Sequence, residues 1–312
     1  MLKKNVKYCK INSMDITKEK LDLIINENAG GMTGEKVKQS LPIIKEHLTA
    51  RGVRFELHMV SKPHEAKFKT AELIDNGATI IVSVGGDGTL HEVVNGFKNF
   101  DNVALGVVPC GTGNDFASAI GISLDVKTAL DNIIFGTPKF TDYIDLEGVR
   151  GINVVGMGID VDVLSAYHKL KKRTKAGYTK CLVKTLVGYT KDKFLDFTVS
   201  LENEEIKQKS FIACVCNGNR FGGGIPICPP AVVDDGELDF ITVKEMNRLK
   251  IVSAFIKLKK GKVLDIKGAT HKKVKSVSIK TSVPTFVNVD GELYYDIPFN
   301  ATVVSNKLKM YR

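Results

Sequence analysis

The sequence predicts an α/β N-terminal domain, a parallel sheet with flanking helices, followed by a mainly antiparallel β-sandwich C-terminal domain. Two observations lead to this fold class. Up to about residue 145, short apolar runs alternate with segments whose apolar residues recur at helical spacing, which is typical of a parallel sheet connected by helices. Beyond that point, short β-branched segments are separated by Gly, Asn and Asp turns, which is typical of antiparallel strands.

The first half contains four apolar runs that suit buried strands. Between them, the apolar residues of 37–48 recur at helical spacing, and Gly52 ends that helix. Further helices are expected over 63–77, over Leu90–Phe97 and from about Asn114. The continuous apolar run of the third strand indicates a strand covered on both faces. The predicted strands are Leu21–Ile25, Val53–Val60, Ala78–Val84 and Val103–Val108.

The second half alternates shorter strands with turns. A Lys-rich amphipathic helix is expected near 247–260. The glycines of Gly156–Asp160 follow a strand, and there we expect a close backbone approach more than chemistry. The predicted strands are Phe194–Leu201, Ile206–Val215, Leu238–Val243, Val274–Lys280, Pro284–Val289 and Ala301–Val304.

The net charge of +10 favours an anionic partner. Lysines cluster in Lys169–Lys175, Lys257–Lys262 and His271–Lys275, which together favour a membrane-facing second half, although each alone suits a solvated face. No aromatic-interleaved basic motif accompanies them, so nucleic acid is not the expected partner. Because no apolar run reaches about 18 residues and the first twenty residues are charged, we expect a cytosolic protein. The six cysteines are expected to be reduced thiols with mostly packing roles.

The strongest local signal is Gly85-Gly-Asp-Gly-Thr-Leu-His-Glu92, which lies between a buried strand and a helix. Glycines at such a turn allow a phosphate to approach the backbone, and the helix N-terminus offers free N–H groups. Asp87 could orient magnesium, and Thr89 could bind phosphate or cap the helix. The alternative is a tight turn with a Thr cap. The segment is neither a Walker loop nor a dinucleotide fingerprint, and Asn95 stands where an HExxH zinc motif needs histidine.

Gly85-Gly-Asp-Gly-Thr89 is similar to the nucleotide motif of diacylglycerol, sphingosine and ceramide kinases, and also of NAD kinases and phosphofructokinases. Pro109-Cys-Gly-Thr-Gly-Asn-Asp-Phe-Ala117 resembles the P-x-GTxNDFA segment of the lipid kinase branch. Pro230–Asp239 and Val289–Glu292 match two further family segments in order and spacing. From about residue 21 onwards, the chain therefore resembles a bacterial lipid kinase of the diacylglycerol kinase catalytic-domain family.

The resemblance implies a nucleotide site for ATP. Glu27 stands where this family usually has Pro, and Ser61 matches a hydroxyl position that is usually Thr. The implied nucleotide-binding residues are Asn26, Glu27, Asn28, Ala29, Gly30, Ser61, Gly85, Gly86, Asp87, Gly88, Thr89, Leu90, His91, Glu92, Thr112 and Asn114.

The resemblance also implies the catalytic groups. Asp87, Asp115 and Asp145 would form an acidic network around a catalytic Mg²⁺. The late Asp-Gly-Glu turn is where the family places its proton acceptor; Glu292 is assigned that role and Asp290 the supporting one, although either could be the base. Asp235, with the carbonyls of Val232 and Glu237, resembles a separate structural Mg²⁺ site, or is an Asp-Gly turn between strands.

The implied organisation is an N-terminal extension over 1–20, a nucleotide-binding domain over 21–145 and a β-rich lipid-substrate domain over 146–299. The last strand and tail, about 300–312, could return to the nucleotide-binding domain. The implied activity is ATP-dependent phosphorylation of diacylglycerol or a related lipid alcohol at an anionic bilayer surface, by a peripheral protein that could form a homodimer. The alternatives are an NAD kinase-like enzyme and a nucleotide-binding protein without turnover.

Overall fold

A computed structural model describes residues 19–30, 34–189, 194–202 and 204–312. Nearly all of the predicted N-terminal extension, including Cys9, lies outside these residues. The predicted fold class is confirmed, since a parallel α/β half precedes an antiparallel β-sandwich half. Within the described residues, no helix has both the length and the apolar character needed to cross a bilayer.

The N-terminal half is a parallel sheet in the order β2-β1-β3-β4. Every residue of β3 and β4 is buried because helices cover the sheet, with α1 packed on α5 and α2 on α3. The elements are β1 (Lys20–Asn26), α1 (Glu35–Ala50), β2 (Arg54–Val60), α2 (Glu65–Asp75), β3 (Ile80–Gly85), α3 (Asp87–Gly96), β4 (Ala104–Pro109), α4 (Asp115–Ala119), α5 (Val126–Phe135) and β5 (Lys139–Asp145).

The C-terminal half is mainly antiparallel. Its elements are β6 (Arg150–Gly151), β7 (Val154–Gly158), α6 (Ile159–His168), α7 (Lys175–Val187), β8 (Leu195–Leu201), β9 (Glu204–Cys216), β10 (Leu238–Lys244), α8 (Arg248–Lys259), β11 (Ala269–Val274), β12 (Ser276–Thr281), β13 (Phe286–Val289), β14 (Glu292–Tyr295) and β15 (Phe299–Met310). The expected close approach at the end of β7 is present: a Cβ on Gly158 would lie 2.5 Å from the Phe211 carbonyl oxygen.

The strand β15 joins the two halves. Its first residues pair antiparallel with β12. Residues from Thr302 to Met310 pair antiparallel with β5, and Lys309 and Met310 also pair parallel with β4. The prediction of a four-residue strand at Ala301–Val304 is wrong in length, because the strand continues through the polar Asn306 and Lys307 to the buried Leu308 and Met310.

Two other predictions for the second half need correction. The single strand expected over Val274–Lys280 is two strands that part at Lys275, because β11 pairs with β10 whereas β12 pairs with β8 and β15. Two helices, α6 and α7, were not predicted. Most of the first seven residues of α6 are buried, so an apolar stripe of helical period does not stand out there.

Candidate active site

A cleft of about 900 Å³ lies where the carboxyl ends of the parallel strands meet the C-terminal half. This edge is where α/β sheets usually bind ligands. The loops after β1, β2, β3 and β4 form one wall. The opposite wall comes from α6, α7, the loop after β9 and the turn between β13 and β14. Each half therefore contributes one wall of a single site.

Two glycine loops stack backbone to backbone on the N-terminal wall. A Cβ on Gly111 would lie 2.3 Å from the Cα of Gly86, so only glycine allows this approach. The Asn114 side chain accepts from the Gly111 N–H at 2.9 Å and donates to its carbonyl at 3.0 Å, which fixes the second loop. Thr89 accepts from the Asn26 amide at 3.0 Å, which ties the loop after β1 to the helix α3.

Asp87 and Asp115 bring two carboxylates together at the floor of the cleft. A Cβ on Gly113, which lies between them, would be 2.8 Å from Asp87 Oδ2 and 3.4 Å from Asp115 Oδ2. Burial, with the neighbouring Asp115 charge, raises the pKa of Asp87 to about 6. Burial also raises the pKa of Asp115, although its carboxylate accepts from the Gly223 N–H at 2.7 Å. A pair of this kind is stabilised by a divalent cation.

This pair fits the Mg²⁺ ion that the resemblance noted in the sequence implies. Two carboxylates on separate loops, both lining an open cleft, form the oxygen-rich, partly hydrated type of site that Mg²⁺ prefers. The third predicted member, Asp145, is not brought to the cleft. It ends β5, where it pairs with Arg150 and Thr302 in the sheet. The donors that the structure brings together are therefore Asp87 and Asp115.

Asp290 is fully engaged by neighbouring groups. Its Oδ1 accepts from the N–H groups of Asn153 and Val154 at 2.8 and 3.1 Å, and its Oδ2 accepts from the Ile152 N–H at 2.7 Å. The Nδ1 of His91 lies 3.2 Å from the same Oδ2. These interactions fix the position of the carboxylate, so Asp290 holds the turn in place.

The side chain of Glu292, two residues later, has no hydrogen-bond partner among the described residues, while its backbone pairs with Val289 in the hairpin. It faces the glycine loop from the opposite wall: a Cβ on Gly88 would lie 3.2 Å from Glu292 Oε1. The Nε2 of His91 contacts Tyr294 Oη at 2.8 Å, which braces the strand that carries Glu292 against α3. The arrangement presents an unengaged carboxylate directly over the nucleotide motif.

Several cations on the cleft wall were not predicted as site residues. Lys62 and Lys67 lie on the N-terminal side, and Arg173 and Lys175 on the C-terminal side. Their positive charges would attract the phosphate groups of a nucleotide. The cluster Lys169–Lys175 is thus divided, since only its last members line the cleft. A basic residue next to a predicted loop, as Lys62 is next to Ser61, was the signal available in the sequence.

Most predicted site residues line the cleft, but some do not. The residues that line it are Asn26, Asn28, Gly30, Ser61, Gly86, Asp87, Gly88, Thr89, His91, Glu92, Thr112, Asp115, Asp290 and Glu292. The others support the loops or pack in the core: Glu27, Ala29, Gly85, Leu90 and Asn114. Glu92 itself accepts from the N–H groups of His64 and Ala66 at 2.9 and 3.2 Å, so it holds the start of α2.

The predicted structural Mg²⁺ site lies outside the cleft. Asp235 Oδ1 accepts from the Glu237 N–H at 3.1 Å, which is an Asx turn. Its other oxygen pairs with the Lys273 ammonium, which also lies 3.5 Å from Glu237 Oε2. A cation at Asp235 and the carbonyls of Val232 and Glu237 would therefore compete with Lys273, and this site stays a prediction.

A narrow apolar cavity of about 50 Å³ adjoins the cleft and shares Tyr178 and Phe221 with it. The helices α6, α7 and α8 supply most of its wall. One buried acid, Asp160, also lines it. The site thus combines a polar cleft with an apolar chamber on the C-terminal side.

Two family models match the chain in succession. Residues 20–146 match the diacylglycerol kinase catalytic domain, and residues 153–312 match the YegS C-terminal NAD kinase beta sandwich-like domain. The fold and the site therefore define a lipid kinase. The chain belongs to the diacylglycerol kinase and YegS-like lipid kinase family.

Relatives align along most of their length. A diacylglycerol kinase of Staphylococcus saprophyticus is 25% identical over 290 residues, covering 93% of this chain and 94% of the relative. A probable YegS-like lipid kinase of Stenotrophomonas maltophilia is 29% identical over 283 residues, covering 85% and 89%.

Solved structures share the fold. A Bacillus anthracis structure of the diacylglycerol kinase class has a TM-score of 0.80 and 25% identity, covering 96% of this chain and 97% of that one. An Archaeoglobus fulgidus NAD kinase in complex with ATP has a TM-score of 0.50 and 13% identity, covering 94% and 93%, so it shares the fold alone.

Proposed function

We propose that this lipid kinase transfers the γ-phosphate of ATP to the hydroxyl of diacylglycerol or a related membrane lipid alcohol. One observation carries the proposal: the unengaged carboxylate of Glu292 faces Gly88 of the glycine loop from the opposite wall of the cleft. This geometry supports Glu292 as the proton acceptor, because its carboxylate lies beside the loop that would hold the phosphates. Phosphoryl transfer needs this alignment more than it needs covalent chemistry from the protein.

Each wall has a defined part in the transfer. The glycine loops and the cleft cations would hold the triphosphate, and Asp87 with Asp115 would hold Mg²⁺, which neutralises charge on the phosphates. The acceptor oxygen forms a bond to the γ-phosphorus as the bond to the β–γ bridging oxygen breaks, and ADP leaves. The hydroxyl proton passes to Glu292. Asp290 keeps the turn in position through its three backbone N–H contacts.

The apolar cavity supports a lipid as the acceptor. It shares Tyr178 and Phe221 with the cleft, so an acyl chain that entered the cavity past these residues would leave the lipid hydroxyl in the cleft. At about 50 Å³ the cavity holds no more than one or two water molecules, so a chain enters only if α7 and α8 move apart. We therefore expect these helices to separate on lipid binding.

The outer surface of α7 and α8 supports peripheral association with an anionic bilayer. Val183 and Val187 are exposed on α7, and Val252 and Ile256 are exposed on α8. Exposed lysines accompany both pairs, including Lys180 on α7. Apolar side chains beside lysines suit the boundary between anionic headgroups and acyl chains. The same helices form the wall of the apolar cavity.

The proposal is tested by incubating the purified protein with γ-labelled ATP, Mg²⁺ and mixed micelles of diacylglycerol, phosphatidylglycerol or a sphingoid base, with NAD in a parallel reaction. We expect label in one lipid. In Glu292→Gln, which keeps the shape but loses the proton acceptor, we expect kcat to fall by about 10²–10⁴-fold while ATP binding changes little.

The matched control is Glu46→Gln, an exposed glutamate on α1 outside the cleft, which should keep the wild-type rate. A wild-type rate in Glu292→Gln would show that another group takes the proton. Label in NAD alone would replace the proposal by the NAD kinase alternative, and nucleotide binding without label in any acceptor would support a protein without turnover. Homodimerisation stays a prediction, which sedimentation of the same preparation measures.

A further inference from the structure

Cys228, Asp239 and His271 form a compact cluster outside the cleft. The Cys228 Sγ, a carboxylate oxygen of Asp239 and an imidazole nitrogen of His271 all lie within 4.8 Å of one another. None of the three residues lines the cleft or the apolar cavity. The cluster therefore needs an explanation separate from phosphoryl transfer.

The sheet register brings these side chains together. Asp239 on β10 lies opposite Cys216 on β9 and opposite Lys273 on β11. His271 precedes Lys273 by two residues, so its side chain points to the same face as that of Asp239. Cys228 comes from the segment between β9 and β10, where its N–H donates to the Asn219 carbonyl at 3.1 Å. The backbone of all three residues is therefore fixed by hydrogen bonds, Asp239 and His271 in the sheet and Cys228 to Asn219.

Because the cluster is buried, negative charge on its side chains is costly unless a cation is close by. Cys228 and Asp239 are 0% and 1% exposed, and His271 Nε2 lies 2.5 Å from Asp239 Oδ1. A buried carboxylate is costly unless it is paired. Lys273, opposite Asp239, is itself paired with Asp235 and Glu237, so it is not a dedicated counter-charge for Asp239. A divalent cation would neutralise a thiolate and a carboxylate together.

We propose that Cys228, Asp239 and His271 bind Zn²⁺. Thiolate, imidazole and carboxylate are the three ligand types that zinc uses, and the thiol proton of Cys228 leaves to solvent on binding. With these three protein ligands, a water molecule would fill the fourth tetrahedral position. Tetrahedral ligand atoms stand about 3.5 Å apart, so the His271–Asp239 contact must open by about 1 Å. The His271 side chain is 24% exposed, so it can shift and give the ion access.

The position of the cluster indicates a structural role. Cys228 lies in the segment that follows the Phe221–Gly223 wall of the cleft and precedes the Asp235 turn. An ion that joins Cys228 to β10 and β11 therefore fixes this segment to the sheet. Zinc should raise the melting temperature without being needed for phosphoryl transfer, so this inference stands independently of the proposed function.

The test uses the purified full chain, treated with a chelator and then titrated with Co²⁺ and with Zn²⁺. We expect one Zn²⁺ per chain to survive dialysis, a higher melting temperature, and a thiolate-to-cobalt charge-transfer band. His271→Gln should weaken Zn²⁺ binding by more than the roughly 10–100-fold that loss of an outer-shell partner costs. Cys228→Ser removes the one thiolate of the cluster and should abolish the charge-transfer band.

Two controls make the result specific. Cys181→Ser removes a buried thiol outside the cluster, and His58→Gln removes the histidine of the group Asp22–Glu56–His58, where Lys20 already pairs with both acids. Both variants should bind zinc as the wild type does. Absence of the charge-transfer band in the wild type, or retention of zinc affinity by His271→Gln, would overturn the proposal. His271→Gln, at a partly exposed site, keeps the test valid if Cys228→Ser does not fold.

Discussion

Asp160, at the start of α6, is a carboxylate buried beside the apolar cavity. Its Oδ2 accepts from the Asn288 amide at 3.1 Å, whereas its Oδ1 has no partner among the described residues. Burial raises the pKa of Asp160 to about 6. Between the unfolded pKa of about 4 and this value, the folded state binds more protons than the unfolded state. The Asp160 contribution therefore lowers stability as pH rises through this window.

We predict that Asp160→Asn removes this pH dependence. Going from pH 4.5 to pH 7.5, the stability of the variant should rise relative to that of the wild type by about 2 kcal/mol. Urea unfolding at pH 4.5, 5.5, 6.5 and 7.5 measures the difference. Asp196→Asn, at an exposed position on β8, is the control. Parallel pH curves for wild type and Asp160→Asn would contradict the prediction.

Individual residues show which parts of the site can be predicted from the sequence motifs. The resemblance of the motifs to the lipid kinase family predicts that Asp87, Asp115 and Glu292 belong to one site, and all three line the cleft. The motifs could not separate Asp290 from Glu292, because the difference lies in N–H groups of residues 152–154, which are distant in sequence. The resemblance also placed Asp145 in the acidic network; this residue ends β5 and is not among the residues that line the cleft.

The helix α8 has one face that packs in the core and one face that is exposed. Ile251 and Ala254 are buried, whereas Val252 and Ile256 are 58% and 51% exposed and lie one turn apart. These exposed apolar side chains, on a helix that is otherwise packed, support the proposed contact with a bilayer. Together with the lysines, this face is suited to a bilayer.

We predict that Val252→Ser with Ile256→Ser reduces binding to vesicles that contain anionic phospholipid. The loss should be at least about tenfold, because each buried aliphatic side chain contributes roughly 1.5–3 kcal/mol when fully withdrawn from water. Vesicle co-sedimentation gives the bound fraction. Because both residues are exposed, the melting temperature should stay within about 2 °C of wild type.

The comparison variant is Leu124→Ser, which removes a 55%-exposed leucine from the N-terminal half. It should bind vesicles as the wild type does. If the α8 double variant bound vesicles as well as the wild type does, the proposed contact between α8 and the bilayer would be wrong.

Elements in the second half were predicted less well than those in the first. Buried parallel strands are continuous apolar runs, so β1, β3 and β4 stand out in the sequence. Nothing in the sequence of 274–280 indicates that its two parts pair with different strands. β-Propensity indicates that a residue suits a sheet, but it does not indicate which strand pairs with it. In α6, burial on most sides hides the helical period that would have revealed the helix.

At the scale of the molecule, β15 makes the two halves one structure. Leu308 and Met310 are wholly buried in the core that also contains β1, β3 and β4. The start of the same strand pairs with β12 in the other half. A lesion near the C-terminal end of β15 should therefore affect both halves.

We predict that Leu308→Ala lowers the free energy of unfolding by roughly 2–5 kcal/mol. Amide hydrogen exchange should show faster exchange in β4 and in β12, because β15 pairs with both. Lys307→Ala, an exposed neighbour on the same strand, should leave exchange unchanged. Faster exchange in β4 alone would show that the halves unfold independently.

The parallel pairing of β15 with β4 also dictates an order of events during synthesis. Ala104 emerges from the ribosome about 200 residues before its partner Lys309, an interval of roughly 10–40 s at ordinary translation rates. Throughout that interval Ala104 and Leu105 of β4 lack their partners on β15, and the unpaired N–H and C=O groups there can recruit strands from other nascent chains. Chaperone capture of the first half, released only when the last strand arrives, would shield this edge during translation.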